Sequence, residues 1–115
     1  HTQFCPAKFQ RIEKDKVVGF LYLKQTGKDT VELAVMGVLK EYHRKGIGRA
    51  LFEYAKESIQ ESGYSFIQVK TVKMGMYEDY DCTNRFYISL GFKEFEVLNS
   101  LWDENNPCQI YVMGI

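Results

Sequence analysis

Between Val31 and Ile59 the hydrophobic period of the chain changes from that of a strand to that of a helix, and the change falls on two glycines. Val31 to Leu39 is an apolar run broken only by Glu32, Ala34 and Gly37, which reads as a buried strand. Polar Lys40, Glu41, His43 and Arg44 follow, and Gly46-Ile47-Gly48 opens a helical pattern. Ile47, Leu51, Tyr54, Ala55, Ser58 and Ile59 share one face of that helix, with Arg49, Glu53, Lys56, Glu57 and Gln60 opposite. Gly63 is a natural C-terminal cap. Tyr64 to Val72, rich in β-branched and aromatic residues, predicts the next strand. A strand, helix and strand in this order predict a right-handed parallel crossover. The chain must therefore build a sheet with a helix packed on it.

The turn itself suggests chemistry. Glycines between strand and helix let backbone approach a ligand closely, and a helix start leaves N–H groups unpaired. Those groups, the positive end of the helix dipole, and Arg44, Lys45 and Arg49 together favour a phosphate. The plainer reading is a tight turn in which Gly46 and Gly48 only relieve crowding. A dinucleotide fingerprint would need a third glycine where Leu51 stands, and a P-loop would need Gly-Lys followed by Ser or Thr.

Around this unit the pattern is that of a small α+β domain. Ala7 to Glu13 alternates loosely, Glu13-Lys14-Asp15-Lys16 predicts a hairpin turn, and Val17 to Leu23 predicts a strand. Lys73 to Asp79 reads as a loop. Asp79 or Asp81 could cap a short helix over 82–90 whose inner face would be Cys82, Phe86, Tyr87 and Leu90, with Gly91 closing it. Phe92 to Leu98 predicts a strand, Asn99 to Pro107 a polar loop, and Gln109 to Met113 a last strand. The predicted order is β-β-β-α-β-α-β-β, a mixed, mostly antiparallel sheet with a central βαβ unit and helices packed on it.

Composition removes several classes. At 115 residues the chain is expected to be one domain, 1–115. Fifteen basic residues balance fifteen acidic ones, which opposes a nucleic-acid binder. Cys5, Cys82 and Cys108 are odd in number and far apart, and neither His1 nor His43 lies near a cysteine, so neither a disulfide framework nor a metal site is expected. Absence of a membrane-length apolar stretch or signal peptide leads to the expectation of a cytoplasmic protein with no membrane partner.

His43-Arg44-Lys45-Gly46-Ile47-Gly48, followed by Arg49-Ala50-Leu51, resembles the acyl-CoA-binding motif of the GNAT superfamily of N-acetyltransferases. That motif reads Gln or Arg, two residues, Gly, one residue, then Gly or Ala; His43 is the departure, replacing the fixed donor or charge while keeping the backbone cradle. Asn84-Arg85-Phe86-Tyr87-Ile88-Ser89-Leu90-Gly91-Phe92 is similar to the family's helix ending in Phe-Tyr, three residues, Gly-Phe. Glu32, eleven positions before His43, stands where many members carry a strand glutamate. The resemblance covers about residues 17–98, and the segment 101–108 also looks like a bacterial subset of the family. Members usually carry one or two helices before the strand pair with which this chain starts. The expectation is that the chain either lacks them or is truncated before them, and lacks with them part of the acceptor wall.

The resemblance implies acetyl transfer from acetyl-CoA, as co-substrate, to a primary amine by direct transfer. Backbone N–H groups from about Arg44 to Arg49, through Lys45, Gly46, Ile47 and Gly48, would cradle the pyrophosphate, with His43 beside the cradle. The strand edge at Met36 to Val38 would pair with the pantetheine arm, and the Met36 N–H would polarise the thioester carbonyl. Tyr87 would be the general acid returning a proton to the CoA sulfur; its bland alternative is a core tyrosine. Glu32 would be the general base, directly or through a water; its alternative is a solvent-facing strand position. His43 is expected to be solvated or to contact phosphate, Cys82 and Cys108 to be buried structural thiols, and Tyr80 and Trp102 to pack or to line the acceptor pocket. The acceptor is a small-molecule or peptide amine. A homodimer is a further partner to expect, because dimers are common in the family and an edge strand near 108–114 could pair across one. The rival function is a non-catalytic acyl-CoA-binding or regulatory module of the same fold.

Overall fold

The computed structural model describes residues 7–115, six strands and two α-helices in two compact units. The first runs to Phe66 and takes in Ile115; the second is Ile67–Gly114. His1 and Cys5 lie outside the described residues.

The first unit starts as an antiparallel meander of β1 (Ala7–Glu13), β2 (Lys16–Gln25) and β3 (Thr30–Val38). Lys14 and Asp15 both take positive φ, 50° and 62°, which suits the tight turn predicted at Glu13–Lys16. In β2 and β3 Tyr22 pairs with Val35 but Leu23 pairs with Leu33, so β3 carries one extra residue, Ala34, as a bulge. Leu21, Leu23, Val31 and Leu33 are buried.

After a 3-10 turn at Lys40–Tyr42, α1 (Ile47–Glu61) packs on all three strands. A Cβ on Gly19 of β2 would lie 3.0 Å from Leu51 Cδ1 and 3.2 Å from Ile47 Cγ2, so helix and strand meet as closely as a glycine allows. The buried arc of α1 is Ile47, Leu51, Phe52, Ala55 and Ile59. It is rotated from the predicted face: Phe52 is buried, whereas Tyr54 is 68% exposed and takes an edge-on contact from Phe9 of β1 at 5.6 Å. The helix closes as predicted through Gly63, whose N–H donates to Gln60 O while Tyr64 N–H donates to Ile59 O.

The second unit contains β4 (Phe66–Val72), α2 (Glu78–Leu90), β5 (Lys93–Asp103) and β6 (Asn106–Gly114), with its strands in the order β4-β6-β5. Residues 99–107 are not the polar loop predicted. β5 continues to Asp103, which pairs with Asn106, and only Glu104 and Asn105 form the turn. The Asp103 carboxylate accepts the Asn105 N–H at 2.8 Å and the Asn106 amide at 2.9 and 3.0 Å, so the polar residues there close a hairpin. β6 lies between β4 and β5, so the edge strand expected at 108–114 is an interior strand, and β5 is the outer one. With three antiparallel pairs, β1–β2, β2–β3 and β5–β6, and two helices, the chain has the α+β, mostly antiparallel class expected.

Candidate functional site

The loop from β3 to α1 is held by short-range bonds. Leu39 N–H donates to Val18 O at 2.8 Å, Tyr42 N–H to Leu39 O at 2.8 Å, and His43 N–H to Lys40 O at 3.1 Å. The His43 ring turns back so that Nε2 stands 2.8 Å from Val38 O. Arg44 then adopts a left-handed φ of 63°, and Gly46, the residue before α1, a φ of 75°. A Cβ at Gly46 would meet nothing within 4 Å, so the glycine is demanded by conformation and not by crowding.

No side chain caps α1, and its first turn holds no acidic residue. The first helical bond is Ala50 N–H to Gly46 O at 2.9 Å, so the N–H groups of Ile47 and Gly48 precede the intrahelical ladder. Arg44, Lys45 and Arg49 are exposed around this helix start, with Lys45 Nζ 5.2 Å above the Tyr42 ring. A nearby carboxylate, Glu41, is turned to Lys16 at 3.6 Å. Its carboxyl is held below the usual range, first by a backbone hydrogen bond and then by Lys16 and His43. Helix dipole, backbone donors and cations thus add at one place with an anion-binding sign.

Further back on β3, Met36 and Val38 are half-buried. Glu32 is only 7% exposed. It pairs in register with Lys24, whose Nζ lies 3.8 Å from Oε2. Gly19, Leu21 and Leu23 of β2 point to α1, so Lys24 and Glu32, one step out of phase, lie on the opposite face. Glu32 is therefore not the solvent-facing strand residue that alternation would allow.

Tyr87 belongs to the second unit, in the last turn of α2. Gly91, at φ 108°, ends this helix: its N–H donates to Ile88 O at 3.0 Å and Phe92 N–H donates to Tyr87 O at 3.2 Å. This paired closure needs a left-handed residue four positions after Tyr87 and rewards an apolar contact one position later. Phe92 supplies it, edge-on to the Tyr87 ring at 5.8 Å. The spacing of Tyr87, Gly91 and Phe92 is thus a helix-ending device that fixes the tyrosine. Phe86 and Tyr111 complete the surroundings at 5.9 and 6.3 Å. Burial pushes the Tyr87 phenol up to about 12, so it keeps its proton at neutral pH.

The inner face of α2 departs from expectation. The helix starts at Glu78, not 82, and no side chain caps it; Asp81 accepts the Gly75 N–H at 2.7 Å instead. Asn84, Tyr87 and Leu90 are buried, whereas Cys82 is exposed and accepts a bond from Arg85. Cys108 is buried as expected. Asn84, which sequence reasoning passed over, is fully buried: Nδ2 donates to Val72 O at 2.9 Å and Tyr80 O at 2.6 Å, and Oδ1 accepts the Tyr111 hydroxyl at 2.5 Å. Only its placement within the Asn-Arg-Phe-Tyr segment hinted at it. Tyr80, in the first turn of α2, and Trp102, near the tip of β5, are both exposed; Tyr80 meets Tyr77 edge-on at 6.0 Å.

Among the described residues no group of three or more His, Cys, Asp and Glu could hold a metal ion, and no helix is long and apolar enough to cross a membrane. No curated protein matches the chain. Solved structures share its fold. A candidate GNAT-family acetyltransferase from Desulfovibrio desulfuricans has a TM-score of 0.86 at 23% identity, over 93% of this chain and 67% of its own. A candidate streptothricin acetyltransferase from Bacillus anthracis, in complex with acetyl coenzyme A, has 0.87 at 16%, over 98% and 64%. The ribosomal-protein-S18-alanine N-acetyltransferase of Escherichia coli has 0.77 at 23%, over 96% and 69%. The chain thus spans about two thirds of the length of these relatives. A model of the acetyltransferase (GNAT) domain matches residues 6–94, which together with the fold shows that the chain belongs to the GNAT acetyltransferase family.

Proposed function

We propose that the chain transfers an acetyl group from acetyl-CoA to a primary amine, by direct attack within a ternary complex. The observation that carries this reading is the uncapped start of α1 after the left-handed Gly46, ringed by Arg44, Lys45 and Arg49. Backbone N–H groups from about Arg44 to Arg49 hold the diphosphate, with His43 at the start of the loop. The edge at Met36 to Val38 pairs with the pantetheine arm, and the Met36 N–H polarises the thioester carbonyl.

The amine nitrogen, once deprotonated, attacks the carbonyl carbon. The resulting tetrahedral intermediate collapses with cleavage of the C–S bond, and the leaving thiolate takes a proton from Tyr87, which solvent then restores. A phenol kept protonated by burial suits that donation. Glu32 takes the amine proton directly or through a water, with the Lys24 ammonium 3.8 Å from its carboxylate. The acceptor is a small-molecule or peptide amine.

The same Lys24 contact favours the second reading, a non-catalytic acyl-CoA-binding module, because it occupies the carboxylate that would serve as base. Calorimetric titration of acetyl-CoA, followed by release of free thiol in the presence of a panel of amines, separates the two. Binding with acceptor-dependent thiol release supports the enzyme; binding without it for every amine supports the module; no binding by the folded chain refutes both.

A further inference from the structure

We propose that His43 is a positioning residue for acetyl-CoA, tying the start of the phosphate loop to the Val38 carbonyl at the end of β3. The inference rests on the acetyl-CoA reading above. It assigns to His43 a task different from touching phosphate.

The ring is exposed, yet its Nε2 lies 2.8 Å from Val38 O. A backbone carbonyl only accepts, so Nε2 carries the proton and donates. The bond closes a ring around the 3-10 turn Lys40–Tyr42, whose own backbone bonds are already made. Immediately after His43 the chain enters the left-handed Arg44 and the turn to α1. The side chain therefore sets where the loop leaves β3. In the proposed seat, β3 to one side of this bond pairs with the pantetheine arm, and the loop to the other side holds the diphosphate. A single side chain fixes the separation of those two halves for a ligand that must span both.

Glutamine is the conservative test, because its amide nitrogen is the same number of bonds from Cα as His Nε2 and donates without a charge. Acetyl-CoA is titrated calorimetrically into wild type, His43→Ala and His43→Gln, at low and at raised salt, and the unfolding midpoint of each is measured. A neutral bond of this kind predicts about three- to ten-fold weaker binding for His43→Ala. His43→Gln should stay within about two-fold of wild type. The ratio of alanine variant to wild type should not change with salt, and the midpoints should agree. A loss that vanishes at raised salt would mean a direct ionic contact with phosphate and overturn the proposal. So would a glutamine variant as weak as alanine, an alanine variant that binds like wild type, or a loss of binding matched by a fall in unfolding midpoint. If wild type itself does not bind acetyl-CoA, the functional reading fails first, and this inference with it.

Discussion

Asn84→Asp exchanges one atom type in a fully buried side chain and should be among the most damaging changes the second unit can suffer. The wild-type amide gives both of its N–H groups to carbonyls, Val72 O and Tyr80 O, and receives the Tyr111 hydroxyl. An ionised carboxylate keeps only the last bond and presents an oxygen to two carbonyl oxygens. Tyr80 O keeps the helix's own N–H from Asn84, so leaving Val72 O unpaired costs about 1–3 kcal/mol before the charge facing both carbonyls is counted. Total stability for 115 residues is about 6–17 kcal/mol at the usual value per residue. The new acid escapes part of the cost by staying protonated, which restores one donor. Its folded-state pKa is then raised above the ordinary value of about 3.9. Stability of the variant must therefore fall as pH rises from about 4 toward that folded pKa, by about 1.4 kcal/mol per unit at most. Urea unfolding of wild type and variant at pH 5 and pH 8 reads both effects. The expected loss is at least ~2 kcal/mol at pH 8 and smaller at pH 5. A loss below ~1 kcal/mol at pH 8, or one independent of pH, would refute the role given to Asn84.

Other outcomes follow from the same geometry. Gly91→Ala puts a Cβ on a residue at φ 108° and should cost about 1–2 kcal/mol, seen as a thermal midpoint lowered by several degrees; an unchanged midpoint would contradict the closure described at Phe92. Tyr87→Phe should lower turnover strongly while acetyl-CoA binding, measured by calorimetry, is retained; unchanged turnover removes Tyr87 from the chemistry. Because the Tyr87 phenol is pushed up to about 12, its contribution to stability is present below about pH 10 and is lost as pH rises toward 12. That alkaline decline should be smaller in Tyr87→Phe when unfolding is followed by circular dichroism. Gly48→Glu puts bulk and negative charge at the start of α1 and should abolish acetyl-CoA binding; retained binding would show that the helix start is not the phosphate seat.

The sequence by itself determined the features whose physics is local. The break in period at Gly46 ends a strand and begins a helix, the charged Lys14-Asp15 pair falls on the hairpin turn, and Gly63 stands at a positive φ that glycine takes without strain. The Tyr87, Gly91 and Phe92 spacing, legible as a family resemblance, proved to be a helix closure that any short fragment would encode. What required tertiary structure was every choice among partners distant in sequence. Tyr54 and Phe52 are both apolar and near neighbours on α1, and only the position of the strands beneath decided that Phe52 is buried. Residues 99–107 are polar enough for a loop, yet they are strand on both sides of a two-residue turn, with Asp103 paired to Asn106 beyond a register shift after Leu98. Asn84 is of a type usually found at the surface; Val72 O and the Tyr111 hydroxyl, both distant in the chain, together with Tyr80 O one helical turn earlier, make its burial tolerable. Glu32 and His43 were chosen by position in a motif, but their neighbours, Lys24 across the strand pair and the Val38 carbonyl behind the turn, follow from strand register and loop path. Local conformation costs are paid residue by residue and can be read that way, whereas burial and hydrogen-bond partners exist only once the chain has brought separate segments together.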